Sequence, residues 1–244
     1  VTLSRDDRVT SFQDQGTEQF AFEARLASTL EGRFNYLVGA FYQDLTNDLE
    51  SIVYQTDAVS GEVIPNAITL LERVASVDRK SQALFGELYF KPVDTVELMG
   101  GVRWFDQEQD QYSNLIVPFL RSAAIGGAPG VQPSNPQSFD DVTFKGQITW
   151  KPLEHVLAYA QYAEGFRSGG VNAQITPNIP PSYEPDTATS MELGIKTNWM
   201  DRRLFANIYF YEFVWQNLQM GAAFTGQFNG MVNCTEQKDP AKSN

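Results

Sequence analysis

The stretch VTFKGQITWKPLEHVLAYAQYAEGF, residues Val142–Phe166, alternates apolar and polar side chains on either side of a short break. Before the break, every second residue is apolar or glycine: Val142, Phe144, Gly146, Ile148 and Trp150. A period of two predicts a β-strand with two different faces. The break, WKPLEH around Pro152, has the length of a tight turn, and proline suits a turn because it presets φ and donates no ladder hydrogen bond. The stretch therefore predicts an antiparallel hairpin.

Three further short breaks have the same character, and long polar stretches separate the hairpins. The breaks are STLEGR around Glu31, FKPVDT around Pro92 and WMDRR around Asp201. The polar stretches run from about Leu45 to Lys80, Asp106 to Asp140 and Ser168 to Thr187. We therefore predict an all-β fold, an antiparallel up-and-down meander of about eight strands. The short turns at Glu31, Pro92, Pro152 and Asp201 should share one edge, with long loops at the other.

The two faces of the predicted strands differ consistently along the chain. The charged residues share the face opposite the apolar side chains: Glu23, Arg25, Glu97, Arg103, Lys145, Glu192 and Lys196. A soluble barrel would turn its apolar face inward, whereas a membrane barrel turns that face to lipid and lines a wet lumen with charges. Alternation alone does not separate these two cases.

Strand length and aromatic residues favour the membrane. From each short turn, about 9–11 residues, enough to cross a bilayer, lead to an aromatic residue: Tyr42, Trp104, Phe166 and Trp215. Other aromatic residues lie beside the turns: Tyr89, Phe90, Trp150 and Trp199. Two aromatic bands and loops segregated to one edge are typical of a transmembrane β-barrel. The runs RFNYLVGAFY and RLFANIYFYEF are apolar on both faces, which leaves them without a predicted orientation.

The composition argues against several classes of function. The 244 residues carry a net charge of −12, which opposes binding to a nucleic-acid backbone. A single cysteine, Cys234, and a single histidine, His155, argue against most zinc sites and histidine-dependent catalysis. No stretch approaches the roughly 20 apolar residues of a transmembrane helix. The first residues, VTLSRDDRVT, lack the apolar segment of a signal peptide.

Four segments resemble successive hairpins of TonB-dependent outer-membrane receptors. They are FEARLAS with GRFNYLVGAFYQD, ALFGELYFKPVDTVELMGGVRWFDQEQD, FKGQITWKPLEHVLAYAQYAEGFRSGGVN, and YEPDTATSMELGIKTNWMDRRLFANIYFYE. The resemblance runs from about Glu18 to Gln219 and fades after about residue 227. It implies a barrel of about 22 strands closed around an N-terminal plug. Such receptors import scarce ligands, commonly ferric siderophores, with energy from an inner-membrane complex.

The resemblance predicts that residues 1–244 are part of a 22-stranded transmembrane β-barrel in the outer membrane of a Gram-negative bacterium. No plug or energy-coupling box is visible in the sequence. The expected partners are outer-membrane lipid, a ferric siderophore or similar ligand, and the TonB complex acting through a plug domain. Because Arg103, Lys196, Tyr209 and Tyr211 crowd the predicted lumen face, eight strands alone should form an open sheet.

The alternative function is a soluble or surface-anchored β-sheet binding module, such as a carbohydrate binder. The two functions differ in where one set of apolar side chains points. In a membrane barrel these side chains face outward, and in a soluble module they face a core: Leu98, Val102, Phe144, Ile148, Leu193 and Ile195.

The sequence predicts no catalytic residue, no cofactor and no resident metal, and it leaves the ligand-binding residues unassigned. GFRSGG lacks the spacing of a nucleophile elbow and the ending of a phosphate loop, so an enzyme is not expected. Several features have a weak functional interpretation beside an ordinary structural one: Asp106–Asp110 as a cation site, Arg103 and Arg167 as contacts for an anionic siderophore, His155 as an iron contact, and Asn233-Cys234-Thr235 as a glycosylation acceptor.

Overall fold

The structure is a computed structural model that describes residues 8–119, 128–132, 134, 136–172, 180, 182–223 and 229–234. Thirteen strands dominate this part of the chain: β1 (Arg8–Ala27), β2 (Phe34–Thr56), β3 (Thr69–Val93), β4 (Val96–Val117), β5 (Gly130–Val131), β6 (Gln137–Leu153), β7 (Val156–Arg167), β8 (Gly170–Val171), β9 (Ser182–Tyr183), β10 (Asp186–Trp199), β11 (Leu204–Gln216), β12 (Leu218–Ala223) and β13 (Asn229–Cys234). These residues include no helix with the length and apolar character needed to cross a membrane.

Eight of these strands form one antiparallel meander. Their order in the sheet is β1-β2-β3-β4-β6-β7-β10-β11, and the short β5 pairs with β4. Two small ladders, β8 with β9 and β12 with β13, stand apart from the main sheet. The predicted up-and-down meander is therefore confirmed. The ordered path begins at β1 and ends at β11, so the described residues form an open sheet with two edges.

The four short connections lie at one edge, which we call the lower edge. They comprise residues 28–33, 94–95, 154–155 and 200–203. Backbone hydrogen bonds link three of them to the next strand: Lys91 N to Arg33 O at 2.8 Å, Lys151 N to Thr95 O at 2.7 Å and Asn198 N to His155 O at 3.0 Å. Three of the four turns are thus held by a neighbouring strand, and the predicted position of all four at one edge is confirmed.

The two prolines predicted at turn centres instead lie within strands. Pro92 is in β3 and Pro152 is in β6, in each case two residues before the turn. The ladder register shifts at both places, between Phe90 and Val93 and between Trp150 and Leu153. A bulge of this kind leaves one residue unpaired, and a residue without an N–H suits that position.

The predicted faces are confirmed by the register. Leu98 lies opposite Ile148, and Val102 lies opposite Phe144, so the apolar residues of β4 and β6 share one face. Nothing in the described residues covers this face: Val102, Phe144, Ile148, Leu193 and Ile195 are all about half exposed, between 46% and 60%. We call it the outer face. The charged residues of the same strands lie on the opposite, inner face.

Strands β2, β3 and β4 extend far beyond the predicted strand ends. They have 23, 25 and 22 residues, whereas β7, β10 and β11 have 12, 14 and 13. The predicted loop 45–80 is therefore wrong, because only residues 57–68 connect β2 to β3. The second predicted loop, from about Asp106 to Asp140, is also shorter than predicted, because β4 continues to Val117 and β6 begins at Gln137. Part of the connection between them lies outside the described residues. Small ladder β8–β9 occupies part of the third predicted loop.

The long strands reverse their polarity at the level of Tyr42 and Trp104. Below this level, in the lower half, the outer face is apolar. Above it, in the upper half, the outer face becomes polar: Asp44, Thr46, Asp48, Lys80, Asp78, Asp106, Glu108 and Asp110. The inner face of the upper half instead carries a small buried core of Val53, Leu70, Leu71 and Leu115, with Phe119 packed against it.

The aromatic bands are confirmed at the lower edge and only in part at the upper level. At the lower edge, Phe34 and Phe90 stack with ring centroids 4.5 Å apart. Tyr42 and Trp104 lie on the outer face, as predicted for Trp104, but Phe166 and Trp215 do not. Phe166 packs against Phe105 on the inner face at 3.9 Å, because β7 no longer pairs with β6 beyond Ala163. Trp215 lies beneath the Arg167 guanidinium, also on the inner face.

Candidate ligand site on the inner face

A cavity of about 510 Å³ lies on the inner face at the base of the upper half. Strands β3 and β4 form its floor, and the end of β7 with the following loop forms one side. Its chemistry is set by three arginines, two phenylalanines and a buried amide: Arg79, Arg103, Arg167, Phe105, Phe166 and Gln107. A larger groove of about 830 Å³ lies between apolar side chains of the outer face. We take the cavity of about 510 Å³ as the candidate site because it gathers three arginines and a buried amide, whereas the outer-face groove is lined mainly by apolar side chains.

Two of the arginines are held without a carboxylate partner. The Arg103 guanidinium lies 5.4 Å from the ring centroid of Phe85 and 5.7 Å from that of Phe41, as a cation–π contact. Arg79 donates two hydrogen bonds to Gln109 Oε1, from Nη2 at 2.9 Å and from Nε at 3.2 Å. Among the described residues neither arginine forms an ion pair. Both positive charges therefore remain uncompensated at the cavity.

Gln107 brings an unpaired donor to the same place. Its side chain is only 7% exposed, and Ser81 Oγ donates to its Oε1 at 3.3 Å. Its Nε2 atom is buried and has no hydrogen-bond partner in the described part of the chain. Buried amide groups in proteins are nearly always hydrogen-bonded, so this one points to a partner that comes from elsewhere.

The third arginine belongs to a network that closes one side of the cavity. Arg167 donates to the buried Asp186 from Nη2 and, at 3.1 Å, from Nε. The Gln219 backbone N–H also donates to Asp186 Oδ2 at 3.1 Å. Burial raises the pKa of Asp186, but the bonds from Arg167 and Gln219 outweigh it, so that its pKa lies below the ordinary aspartate value. Asp186 is therefore ionised near neutral pH.

Two side-chain amides fasten the hairpin β12–β13 to this network. Gln219 Nε2 donates to three carbonyl oxygens, those of Ser168 at 3.0 Å, Glu184 at 3.1 Å and Arg167 at 3.3 Å. Asn233 pairs with the backbone of Glu184 in both directions, at 2.7 and 3.0 Å. We call Arg167, Asp186, Gln219 and Asn233 the clasp. It joins three segments that are far apart in the sequence.

The last two glycines of GFRSGG, Gly169 and Gly170, serve close packing in the clasp region. A Cβ atom on Gly169 would lie 2.3 Å from the backbone oxygen of Tyr183, and one on Gly170 would lie 2.4 Å from the Tyr183 hydroxyl. Only glycine allows β8 to approach Tyr183 this closely.

The other weighed residues lie away from the cavity or have structural partners. His155 is at the lower edge, where its ring packs against Trp199 at 4.7 Å. In the segment 106–110, the carboxylates project from the outer face and the two glutamines from the inner face. Asp106 accepts from Gln82 Nε2 at 2.9 Å, and Asp110 from Ser134 Oγ at 2.6 Å. The described residues contain no cluster of metal-ligating side chains. Thr235, of the glycosylation triplet, lies outside the described residues.

The lower half of the inner face carries the predicted charges in pairs. Lys145 Nζ contacts Glu87 Oε1 at 2.6 Å, and the Tyr159 hydroxyl bonds to Glu192. Lys196 Nζ lies 5.0 Å above the Tyr159 ring. Gly194 makes room for that ring, since a Cβ atom there would lie 2.4 Å from it. The inner face of the lower half thus carries polar and charged groups that contact one another across neighbouring strands.

The sequence profile described as "TonB dependent receptor-like, beta-barrel" matches residues 2–235. The chain belongs to this TonB-dependent receptor family. The receptor barrel is also the fold of the solved structures that it matches. With the ferric yersiniabactin uptake receptor FyuA of Yersinia pestis, the TM-score is 0.71 at 16% identity, covering 87% of this chain and 30% of that one.

Two further structures extend the comparison. The closed form of the ferric-catecholate import receptor Fiu of E. coli K12 has a TM-score of 0.63 at 16% identity, covering 85% of this chain and 32% of that one. The copper transporter OprC has a TM-score of 0.54 at 14% identity, covering 91% and 34%. This TonB-dependent receptor chain therefore spans about a third of the length of these structures. At these identities the likeness shows the fold alone.

Sequence reasoning placed two of the three cavity arginines among the weighed residues, and the structure brings Arg103 and Arg167 to one cavity. It missed Arg79 and Gln107 because both lie in stretches interpreted as loop. The segment QALFGELYF alternates with a period of two. If this alternation is extended toward the N-terminus, it places Arg79 on the same face as Ser81 and Phe85. No sequence signal joins Asp186 to Gln219, because that contact depends on how hairpin β12–β13 folds back.

Proposed function

We propose that this chain forms part of the wall of an outer-membrane receptor that imports a scarce ligand, a ferric siderophore, with energy delivered by the TonB complex through a plug domain. The observation that carries the proposal is the uncovered apolar outer face opposite a charged inner face. Residues 1–244 would then be one partial barrel domain, facing outer-membrane lipid of a Gram-negative bacterium. The family supports a transport role and no enzymatic one.

The polarity reversal on β2–β4 supports this placement. The apolar part of the outer face of β2 runs from Phe34 to Tyr42. Its length falls within the roughly 9–11 residues that a tilted strand needs to cross a bilayer. A soluble binding module is disfavoured, because it would leave this whole face exposed to water.

The test is uptake by living cells. The complete gene is deleted from its host and restored on a plasmid, and uptake of radiolabelled ferric chelates is measured under iron limitation with and without the energy-coupling complex. We expect uptake of at least one chelate that requires both the receptor and the coupling complex. Equal uptake in the deletion strain for every chelate would refute the iron-import proposal.

A further inference from the structure

We propose that the inner-face cavity binds ligands through several anionic oxygens, such as carboxylates or catecholates, and that it selects them over uncharged or cationic ligands. This deepens the proposed function by naming the ligand chemistry, and it rests on that function only for the direction of transport. The cavity is defined by Arg79, Arg103 and Gln107 on the floor, with Arg167 at the side.

The charge at the cavity opposes the charge of the whole chain. The chain carries a net charge of −12, yet the described residues that line the cavity include three arginines and no carboxylate. The nearest carboxylate in the clasp, Asp186, is already paired with Arg167. An acidic protein that concentrates unpaired arginines in one concave place has a local field suited to anions.

The donors are also held in place while remaining available. The Arg103 guanidinium lies over the rings of Phe41 and Phe85, and because a cation–π contact uses none of its N–H groups as hydrogen-bond donors, they are left to donate to a ligand. Arg79 is oriented by Gln109, which accepts from two of its nitrogens. Gln107 Nε2, which has no partner among the described residues, adds a neutral donor at the same cavity. Such a fixed set of donors matches the planar oxygen pairs of carboxylate and catecholate groups.

The same residues disfavour a metal ion as the species bound directly. Copper and similar ions select sulfur and imidazole ligands, and the described lining residues include no Met, Cys or His. The positive charges of Arg79 and Arg103, which have no carboxylate partner among the described residues, would also repel a free cation. Because OprC shares this fold, the fold does not decide between a metal ion and an anionic chelate, and the cavity's side chains supply the distinction.

The experiment measures ligand binding by calorimetry on the full receptor polypeptide that contains these residues, purified in detergent. The probes are a trianionic ferric tris-catecholate, ferric citrate, and an uncharged ferric tris-hydroxamate. The variants are Arg79→Gln, Arg103→Gln and Gln107→Met. The matched control is Arg25→Gln, because Arg25 stacks on the same Phe85 ring at 5.7 Å but does not line the cavity.

We expect at least one anionic chelate to bind about 10-fold or more tightly than the uncharged one. Each arginine variant should weaken that binding by about 10-fold, as loss of a charge-assisted hydrogen bond does, with a smaller loss for Gln107→Met and a change within about 2-fold for Arg25→Gln. Equal binding of the uncharged chelate, binding of neither anionic chelate, or arginine variants that behave like the control would overturn the inference.

A structural role for the arginines gives a different result. If carboxylates of another part of the receptor pair with Arg79 and Arg103, the variants will lower the melting temperature and leave anion binding unchanged, which overturns the inference. Cell uptake is scored separately. If anion binding depends on the arginines but no coupled uptake occurs, the proposed function is refuted and this inference stands. If the uncharged chelate is taken up and the arginine variants are unaffected, this inference is refuted and the proposed function stands.

Discussion

The lower and upper halves of β2–β4 share continuous hydrogen-bonded ladders but distribute polarity in opposite ways. In the lower half, apolar side chains such as Val38, Leu84 and Val102 point outward and are exposed. In the upper half, Leu71 and Leu115 point inward and are buried. Because the backbone geometry is the same in both halves, the difference in polarity reflects different surroundings of the strands.

In the proposed membrane placement, this reversal marks the change of solvent along the wall. A strand in lipid must present apolar groups outward, whereas a strand in water gains stability by burying them on its inner side. On the outer face, the aromatic Tyr42 of β2 is followed directly by Asp44, and Trp104 of β4 is followed directly by Asp106. The proposed membrane boundary therefore lies at this level.

The largest expected effect tests the lower half. Ile148→Arg places a charge on the outer face in mid-strand and should lower the free energy of unfolding in lipid vesicles by about 2–4 kcal/mol if it lies near the bilayer midplane. Gln147→Arg, its neighbour on the inner face, should cost far less, and Glu108→Arg on the outer face of the upper half should be nearly neutral. Denaturant titration of the intact receptor compares the three. Equal penalties would contradict the placement of lipid.

The second effect tests the upper half. Leu115→Ala removes a side chain that is 1% exposed and packs in the small core with Val53 and Leu71. We expect a local loss of about 2–3 kcal/mol, near the lower end for leucine truncation because a core of this size can relax. Hydrogen exchange of β3 and β4 amides would report it. Ile116→Ala, on the opposite face, is the control and should cost less than about 1 kcal/mol. A larger loss for Ile116 would reverse the proposed solvent assignment.

The fold was predictable where one face is apolar and the other is polar. Period two in VTFKGQITW and MELGIKTNW oriented β6 and β10 correctly, and the four short turns gave the meander. The upper halves were missed because a strand that is polar outside and only partly apolar inside resembles a loop in sequence. RFNYLVGAFY and RLFANIYFYEF could not be oriented because aromatic residues also occupy the inner wall, as Phe41, Tyr209 and Tyr211 do.

The candidate site was predictable only in part. The period-two alternation predicts that Arg103 lies on the inner face. It does not predict which residues of other strands lie beside Arg103, because that depends on how the strands pair in the sheet. The position of Phe166 depends on where β7 leaves β6, and Glu164 marks that place by accepting the Phe144 backbone N–H at 3.0 Å. Such contacts are tertiary and have no local sequence signature.

A third, smaller effect concerns the clasp, which secures the upper end of the shorter strands. Asp186→Asn keeps the shape but removes the charge that Arg167 and Gln219 bind. We expect about 1–2 kcal/mol of lost protection for residues 218–223 in hydrogen exchange, since Arg167 is about half exposed and solvent screens the pair. Gln82→Leu, which removes an exposed hydrogen bond to Asp106, is the control.

The clasp should also respond to acid. The folded-state pKa of Asp186 is lowered below 3.8, so its contribution is present above that value and is lost as the pH falls through the lowered pKa. Protection of residues 218–223 should therefore be constant between neutral pH and about pH 5 and should decline below the ordinary aspartate pKa. Protection that declines equally in Asp186→Asn would show that another group is responsible.

The smallest effect tests whether the inner wall of the lower half is wet. Glu87 and Lys145 form an ion pair at 2.6 Å, with the Lys145 side chain 43% exposed. In a water-filled lumen, Glu87→Gln should lower the free energy of unfolding by less than about 1 kcal/mol, and the difference should shrink at 1 M salt because exposed pairs are screened. In a dry interior, removal of one partner would leave a buried charge and cost about 3–5 kcal/mol. Glu97→Gln, which breaks the more exposed pair with Lys91, provides the matched control. A large, salt-independent loss confined to Glu87→Gln would show that the lower inner wall is sealed from water, and the contrast between an apolar outer face and a wet inner face would then fail.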